Sequence, residues 1–115
     1  MPAVDTEAFL RDLYELRAIG TFKTGVHRPT YSPQDMEARR WLMAKLTACG
    51  LKASIDGIGN VVATRRGTKP ALAPLIVAAH LDTVFPAGTD VKVRREGTRL
   101  MAPGIGDDTL GLAVM

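Results

Sequence analysis

Two short stretches of the sequence place residue types capable of chemistry beside elements that could position them. The first is LIVAAHLDTVFPAG, residues 75 to 88, in which an apolar run ends in His80 and Asp82. Residues i and i+2 of an extended segment point the same way, so both side chains can share one face while Leu81 points back into the protein. A strand that merely turns polar at the surface gives the same pattern, so this stretch alone leaves both interpretations open.

The second stretch is GIGDD, residues 104 to 108. Its glycines allow backbone conformations closed to other residues, and Asp107 and Asp108 follow directly. In the ordinary interpretation, Asp108 is the N-cap of the helix predicted for TLGLAVM and Asp107 is a turn former. Gly111 would weaken that helix by about 1 kcal/mol, which indicates a packing reason for a glycine at this position.

Considered together, the two stretches favour a metal site over either ordinary interpretation. One histidine and two or three acids form a ligand set suited to zinc, manganese or cobalt. A carboxylate beside a histidine is also the arrangement that fixes the ring tautomer. Two metal ions about 4 Å apart would need a bridging carboxylate and further ligands, and the chain does not visibly supply all of them. His27, alone in a loop, is interpreted as a surface residue rather than a ligand.

The elements that must position these residues begin with two helices. The first is predicted over residues 5–20, with Asp5 as its N-cap and Gly20 closing it. The second follows Ser32, another N-cap, with a proline at its first position and Asp35 placed to complete a capping box. Its apolar stripe ends at Cys49, which we interpret as a small buried thiol.

Beyond residue 50 the apolar pattern changes to a period of two, which predicts a hairpin or strand pair over residues 51–66 and another hairpin over residues 91–102. The continuously apolar run at 75–80 predicts a strand buried on both faces. The order of helices, strands and a further helix predicts an α/β fold, a mixed sheet flanked by helices, within one domain spanning residues 1–115. In such sheets ligands bind beyond the carboxyl ends of the strands, where His80 lies.

Composition narrows the class of protein. The apolar fraction of 46% and the charged fraction of 23% are those of a globular domain. The 115 residues contain no long uncharged apolar span that could cross a membrane, so the sequence predicts no membrane partner. They contain a single cysteine, which does not indicate an oxidising compartment, so a cytoplasmic location is expected. The net charge of +3 is scattered rather than gathered into a basic stripe with aromatics, so nucleic acid is not expected as a partner.

The motifs HLDTVFPAG and APGIGDDTLGLAV, in this order after an apolar run, resemble those of the dinuclear zinc metallopeptidase and amidohydrolase superfamily. That superfamily includes acetylornithine deacetylase, succinyl-diaminopimelate desuccinylase, aminoacylase, carboxypeptidase G and peptidase T. The stretch from Tyr31 to Gly67 is similar to carbamoyl-amino-acid and allantoate amidohydrolases, whereas GIGDD is similar to the peptidase branch. The resemblance implies a zinc-peptidase-like catalytic domain.

The resemblance also implies a role for each site residue. His80 would ligate one metal ion, Asp82 would be the catalytic residue that orients and tunes His80, and Asp107 would bridge two divalent metal ions. Zinc is the metal expected, with cobalt or manganese as alternatives. Asp108 would be a neighbour or helix cap.

The general-base glutamate and the remaining ligands of such enzymes would lie beyond Met115, so the chain is expected to be the N-terminal portion of a longer protein and inactive alone. The full-length protein is expected to hydrolyse amide-type bonds in small substrates: peptides, N-acyl amino acids or N-carbamoyl amino acids. The full-length protein is expected to form a homodimer through a region outside this chain. The alternative is a non-catalytic remnant or interaction module with an incomplete metal site.

Overall fold

The computed structural model describes residues 3–115, which form three helices and three two-stranded antiparallel hairpins. The helices are α1 (Thr6–Ala18), α2 (Pro33–Ala48) and α3 (Thr109–Val114). The strands are β1 (Thr21–Phe22), β2 (Gly25–Val26), β3 (Lys52–Ile55), β4 (Val61–Thr64), β5 (Arg94–Glu96) and β6 (Arg99–Met101). This combination of helices and small sheets confirms the mixed class predicted from the sequence.

The first two helices begin and end as the sequence predicts. The Asp5 carboxylate accepts a hydrogen bond from the Ala8 amide at 3.0 Å, and the Ser32 hydroxyl accepts one from the Asp35 amide at 3.2 Å. Gly20 follows α1 with φ +86°, a conformation that favours glycine, and an added Cβ would lie 2.7 Å from the His27 carbonyl oxygen. The capping box is wrong in one detail, because Asp35 accepts from the Tyr31 amide instead of returning a bond to Ser32.

The hairpins β3–β4 and β5–β6 confirm the two predicted from the period of two. The short pair β1–β2 lies in a stretch where the sequence predicted only a loop. Within residues 3–115 these hairpins do not join into one sheet.

The predicted buried strand at residues 75–80 is wrong for the structure described. The segment forms no strand, and Leu75 and Ile76 are 89% and 83% exposed. A strand exists only where neighbours satisfy its amides and carbonyls, and the described residues place none along this segment. The apolar run therefore has the composition of a core strand, but composition alone does not provide the neighbouring strands that a sheet requires.

The core is small and joins the helices to the segment that carries His80. Leu16, Ile19, Ala38 and Leu112 are buried together, with Trp41, Leu42, Ala79 and Leu81 packed against them. Leu81 therefore does point back into the protein, as the alternation predicted. Cys49, predicted to be buried, is exposed at the end of α2.

Candidate functional site

His80 and Asp107 are neighbours in space because the segments that carry them are anchored in the same core. Leu81 follows His80 and packs against the core, and Leu112, on α3, is part of it. These two anchors bring the apolar run and the glycine loop together, although 27 residues separate His80 from Asp107. The structure thus joins the two stretches that the sequence singled out.

The two nitrogens of the His80 ring face different carboxylates. Nε2 lies 2.7 Å from Oδ1 of Asp107, and Nδ1 lies 3.2 Å from Oδ1 of Asp82 and 3.1 Å from its backbone oxygen. The i and i+2 side chains thus meet, as the spacing predicted. A ring flanked by acceptors on both sides has its orientation determined by both of them.

The electrostatics follow from these contacts. The hydrogen bond to Asp107 raises the pKa of His80, and the contacts with Asp82 act in the same direction against partial burial. Burial acts to raise the pKa of Asp82, but the Thr30 hydroxyl and His80 outweigh it and leave that pKa below its usual value. Both shifts favour the charged forms, the protonated ring of His80 and the ionised carboxylate of Asp82.

Asp108 has a position that sequence reasoning only half anticipated. It is the N-cap residue of α3, but its side chain makes no capping hydrogen bond. Its Oδ2 instead accepts a bond from the backbone amide of His80 at 3.1 Å. A Cβ at Gly111 would collide with this carboxylate, which supplies the packing reason expected for a glycine inside a helix. The Asp107–Asp108 peptide bond is cis.

The donors on the Nε2 side of His80 fit part of a metal site. An imidazole nitrogen and a carboxylate oxygen are ligands that zinc accepts, and both side chains are partly open to solvent. Asp82 is on the Nδ1 side, so it cannot bind the same ion while His80 binds through Nε2. Consistent with this division, no group of three or more His, Cys, Asp or Glu side chains within residues 3–115 is arranged to hold a metal ion.

His27 does not join this cluster. Its ring packs near Phe22, with centroids 6.5 Å apart, and its Nδ1 is buried without a hydrogen-bond partner in the part of the chain that the structure describes. The residue as a whole is half-buried, and the expectation that it is not a ligand stays a prediction.

Sequence reasoning missed two residues that contact the site from the loop before α2. Thr30 donates a hydrogen bond to Oδ2 of Asp82 at 2.8 Å, and the buried Arg28 donates one to the Leu81 carbonyl at 2.6 Å. No local pattern marks either residue, because both contacts cross more than 50 positions of sequence. Only the charge of Arg28 beside a proline in an otherwise uncharged loop could have drawn attention to it.

Within residues 3–115, none of the helices combines the length and the apolar character needed to cross a bilayer.

Comparison with known proteins gives relatives that include several amidohydrolases. No family model matches the sequence. An N-carbamoyl-L-amino-acid amidohydrolase of Paenarthrobacter aurescens is 34% identical over 82 residues, which are 71% of this chain and 20% of the relative. An allantoate amidohydrolase of Escherichia coli K12 is 30% identical over 64 residues, covering 56% of this chain and 16% of the relative.

A solved structure agrees with these sequence relatives. The crystal structure of an amidase of the hydantoinase/carbamoylase family from Burkholderia phymatum matches with a TM-score of 0.64 and 43% identity, over 76% of this chain and 21% of that one. The chain thus spans about a fifth of the length of the proteins that it matches.

Proposed function

Since this chain belongs to the metallopeptidase and amidohydrolase superfamily that includes the N-carbamoyl-amino-acid amidohydrolases, we propose that it contributes part of a metal-dependent hydrolytic site. The observation that carries the proposal is the contact of 2.7 Å between His80 Nε2 and Asp107 Oδ1, with Asp82 behind the ring. The reaction is hydrolysis of an amide-type bond in a small amino-acid derivative. N-carbamoyl amino acids are the first candidates, because relatives are named for them.

Each residue of the site would have a separate role in this hydrolysis. His80 and Asp107 would help to hold two divalent metal ions, with zinc expected. The chemistry that bound metal would supply there is Lewis-acid polarisation and a lower pKa of water. Asp82 would keep the His80 ring in one orientation and one tautomer, with Nε2 free for metal. The amide of His80, bound to Asp108, would fix the backbone from which the imidazole extends.

Zinc titration of the purified chain by calorimetry tests this assignment. We expect zinc to bind weakly, because only part of a ligand set is present, and we expect His80→Ala and Asp107→Ala each to abolish the binding. Glu37→Ala, which removes an exposed carboxylate on α2, serves as the matched control and should bind zinc as the unchanged chain does. Unaltered zinc binding by Asp107→Ala would contradict the proposal.

In the whole protein, His80→Ala and Asp107→Ala should abolish hydrolysis by losing metal. Asp82→Ala should lower hydrolysis by about 10- to 100-fold, more than it lowers metal content, because it acts through His80. Metal analysis and an assay of ammonia release from N-carbamoyl amino acids would separate the two effects.

A second candidate is a non-catalytic module that keeps the fold, and it rests on the finding that only two donors converge within residues 3–115. Under this alternative the whole protein would carry no stoichiometric metal and hydrolyse none of these substrates. Tight binding of two zinc ions by the whole protein would exclude it.

A further inference from the structure

Arg28 is the largest fully buried side chain in the part of the chain that the structure describes, at 1% exposure. Its guanidinium donates from Nη1 to the carbonyls of Leu16 and Ile19, at 3.0 and 2.8 Å, and from Nε to the Leu81 carbonyl at 2.6 Å. Burial of a guanidinium is costly unless its donors are satisfied, and here they satisfy carbonyls at the end of α1 as well. One planar group thus joins the end of α1 to the residue between His80 and Asp82.

The backbone of Arg28 strengthens the same connection. Its amide donates to the Thr83 hydroxyl at 2.8 Å, and its carbonyl accepts from the Thr83 amide at 2.9 Å. Together with the Nε bond, three contacts hold Leu81 and Thr83, the residues on either side of Asp82. Burial lowers the pKa of Arg28, while the charges of Asp35 and Asp82 oppose that shift.

Thr30 acts on the Asp82 side chain itself. Its hydroxyl donates to Oδ2 of Asp82 at 2.8 Å, which leaves Oδ1 facing His80 Nδ1. A carboxylate can rotate about its side-chain torsions, so a bond to one oxygen restricts where the other points. Thr30 is itself exposed, so this hydroxyl contributes orientation rather than core packing.

We propose that Arg28 and Thr30 are positioning residues for the His80–Asp82 pair: the guanidinium holds the backbone on which the pair stands, and the hydroxyl holds the Asp82 carboxylate toward His80. This inference rests on the proposed function for its catalytic meaning. The positioning itself can be measured without metal and without activity.

The metal-free test uses Thr30→Val, which keeps the shape of the side chain and removes its hydroxyl. Nuclear magnetic resonance couplings between Hα and Hβ of Asp82 report its χ1 rotamer. We expect one rotamer in the unchanged chain, averaging in Thr30→Val, and recovery in Thr30→Ser. Thr47→Val removes an exposed hydroxyl on α2 and should leave the couplings unchanged. Unaveraged couplings in Thr30→Val would overturn the role of Thr30.

The second readout is zinc affinity, with the metal alone as the probe. Loss of a side chain that hydrogen-bonds a metal ligand typically weakens metal affinity by about 10- to 100-fold. Thr30 contacts Asp82 and not the ligand His80 itself, so we expect Thr30→Val to weaken zinc binding by only about three- to tenfold. Its thermal unfolding midpoint should stay that of the unchanged chain. Equal zinc affinity in the two proteins would overturn the inference.

Arg28→Lys tests the other half of the inference. Lysine keeps the charge but lacks the planar fork that reaches three carbonyls, so it should weaken zinc binding more than Thr30→Val, measured below its own unfolding temperature. Zinc affinity equal to that of the unchanged chain would overturn the role of Arg28. If the unchanged chain binds no zinc while Thr30→Val still averages the Asp82 rotamers, the positioning stands and the proposed metal site fails.

Discussion

At the scale of single residues, the site depends on the polar partners of His80. His80 faces Asp107 with one nitrogen and Asp82 with the other, and its amide binds Asp108. Each contact restricts a different degree of freedom: ring rotation, tautomer and backbone position. A change at one partner should therefore alter one property and leave the rest of the fold intact.

Gly111 provides a test at this scale. An alanine inside a helix is normally favoured over glycine by about 1 kcal/mol, so Gly111→Ala should stabilise α3 on propensity alone. We expect destabilisation instead, because the added Cβ would collide with the Asp108 carboxylate and displace it from the His80 amide.

The measurement is thermal unfolding together with amide exchange at His80. Gly67→Ala is the control, since an added Cβ there meets no atom within 4 Å. An unfolding temperature of Gly111→Ala above that of the unchanged chain, with His80 exchange unaltered, would show that the Asp108 contact has no energetic weight.

At the scale of elements, buried polar side chains attach loops to the two long helices. Arg28 joins the loop after β2 to α1, and Arg39 on α2 pairs with Asp35 at 2.6 Å and donates to the Gly59 carbonyl in the β3–β4 turn. The Tyr31 hydroxyl donates to the Ile58 carbonyl of the same turn at 3.1 Å. The turn is thus fixed to α2 by side chains rather than by sheet pairing.

The β3–β4 turn also carries its own charge-dependent support. The Asp56 carboxylate accepts bonds from the amides of Ile58 and Asn60 and from the Asn60 side chain, at 2.9 to 3.0 Å. Hydrogen bonds from Asn60 are the main cause that lowers the pKa of Asp56. A carboxylate with a lowered pKa in the folded state stabilises that state above its unfolded pKa, near pH 4, and loses this contribution as pH falls through the folded value.

We therefore expect Asp56→Ala to lower the unfolding temperature at pH 6 to 7 and to differ less from the unchanged chain below about pH 3. Asp56→Asn keeps an acceptor oxygen without a titrating group, so its stability should vary less across the same range. Unfolding curves at several pH values provide the measurement. A deficit of Asp56→Ala that is constant from pH 7 to pH 2 would contradict the assignment.

At the scale of the whole molecule, the described chain buries few large apolar side chains and exposes a continuous apolar segment. Leu75 and Ile76 are almost fully exposed, Val77 is 62% exposed, and unpaired backbone accompanies them. Exposed apolar stretches with free hydrogen-bonding groups are templates for association with other chains.

The purified chain should therefore self-associate as its concentration rises, and Ile76→Lys should reduce that association by placing a charge on the segment. Ala71→Lys adds the same charge at an exposed position outside the apolar run and should change association less. Sedimentation velocity and binding of a hydrophobic dye measure the effect. Equal association of all three proteins would show that the segment is not the contact.

The sequence by itself determined the local features of this protein. Caps at Asp5 and Ser32, the two longer hairpins, and the pairing of His80 with Asp82 all follow from interactions within a few residues, where propensity and spacing decide. The motifs around His80 and Asp107 also identified the superfamily, because both residue type and order along the chain are local information.

Only the tertiary structure decided what depends on distant partners. It placed Asp107 at Nε2 of His80. The Asp108 carboxylate binds the His80 amide instead of capping α3. Arg28 and Thr30 bind the Leu81 carbonyl and the Asp82 carboxylate. The tertiary structure also left residues 75–80 without strand neighbours. These contacts span 27 to 53 positions of sequence. Packing of Leu81 and Leu112 into one core creates the proximity of His80 to Asp107, and no periodicity in a single segment encodes it.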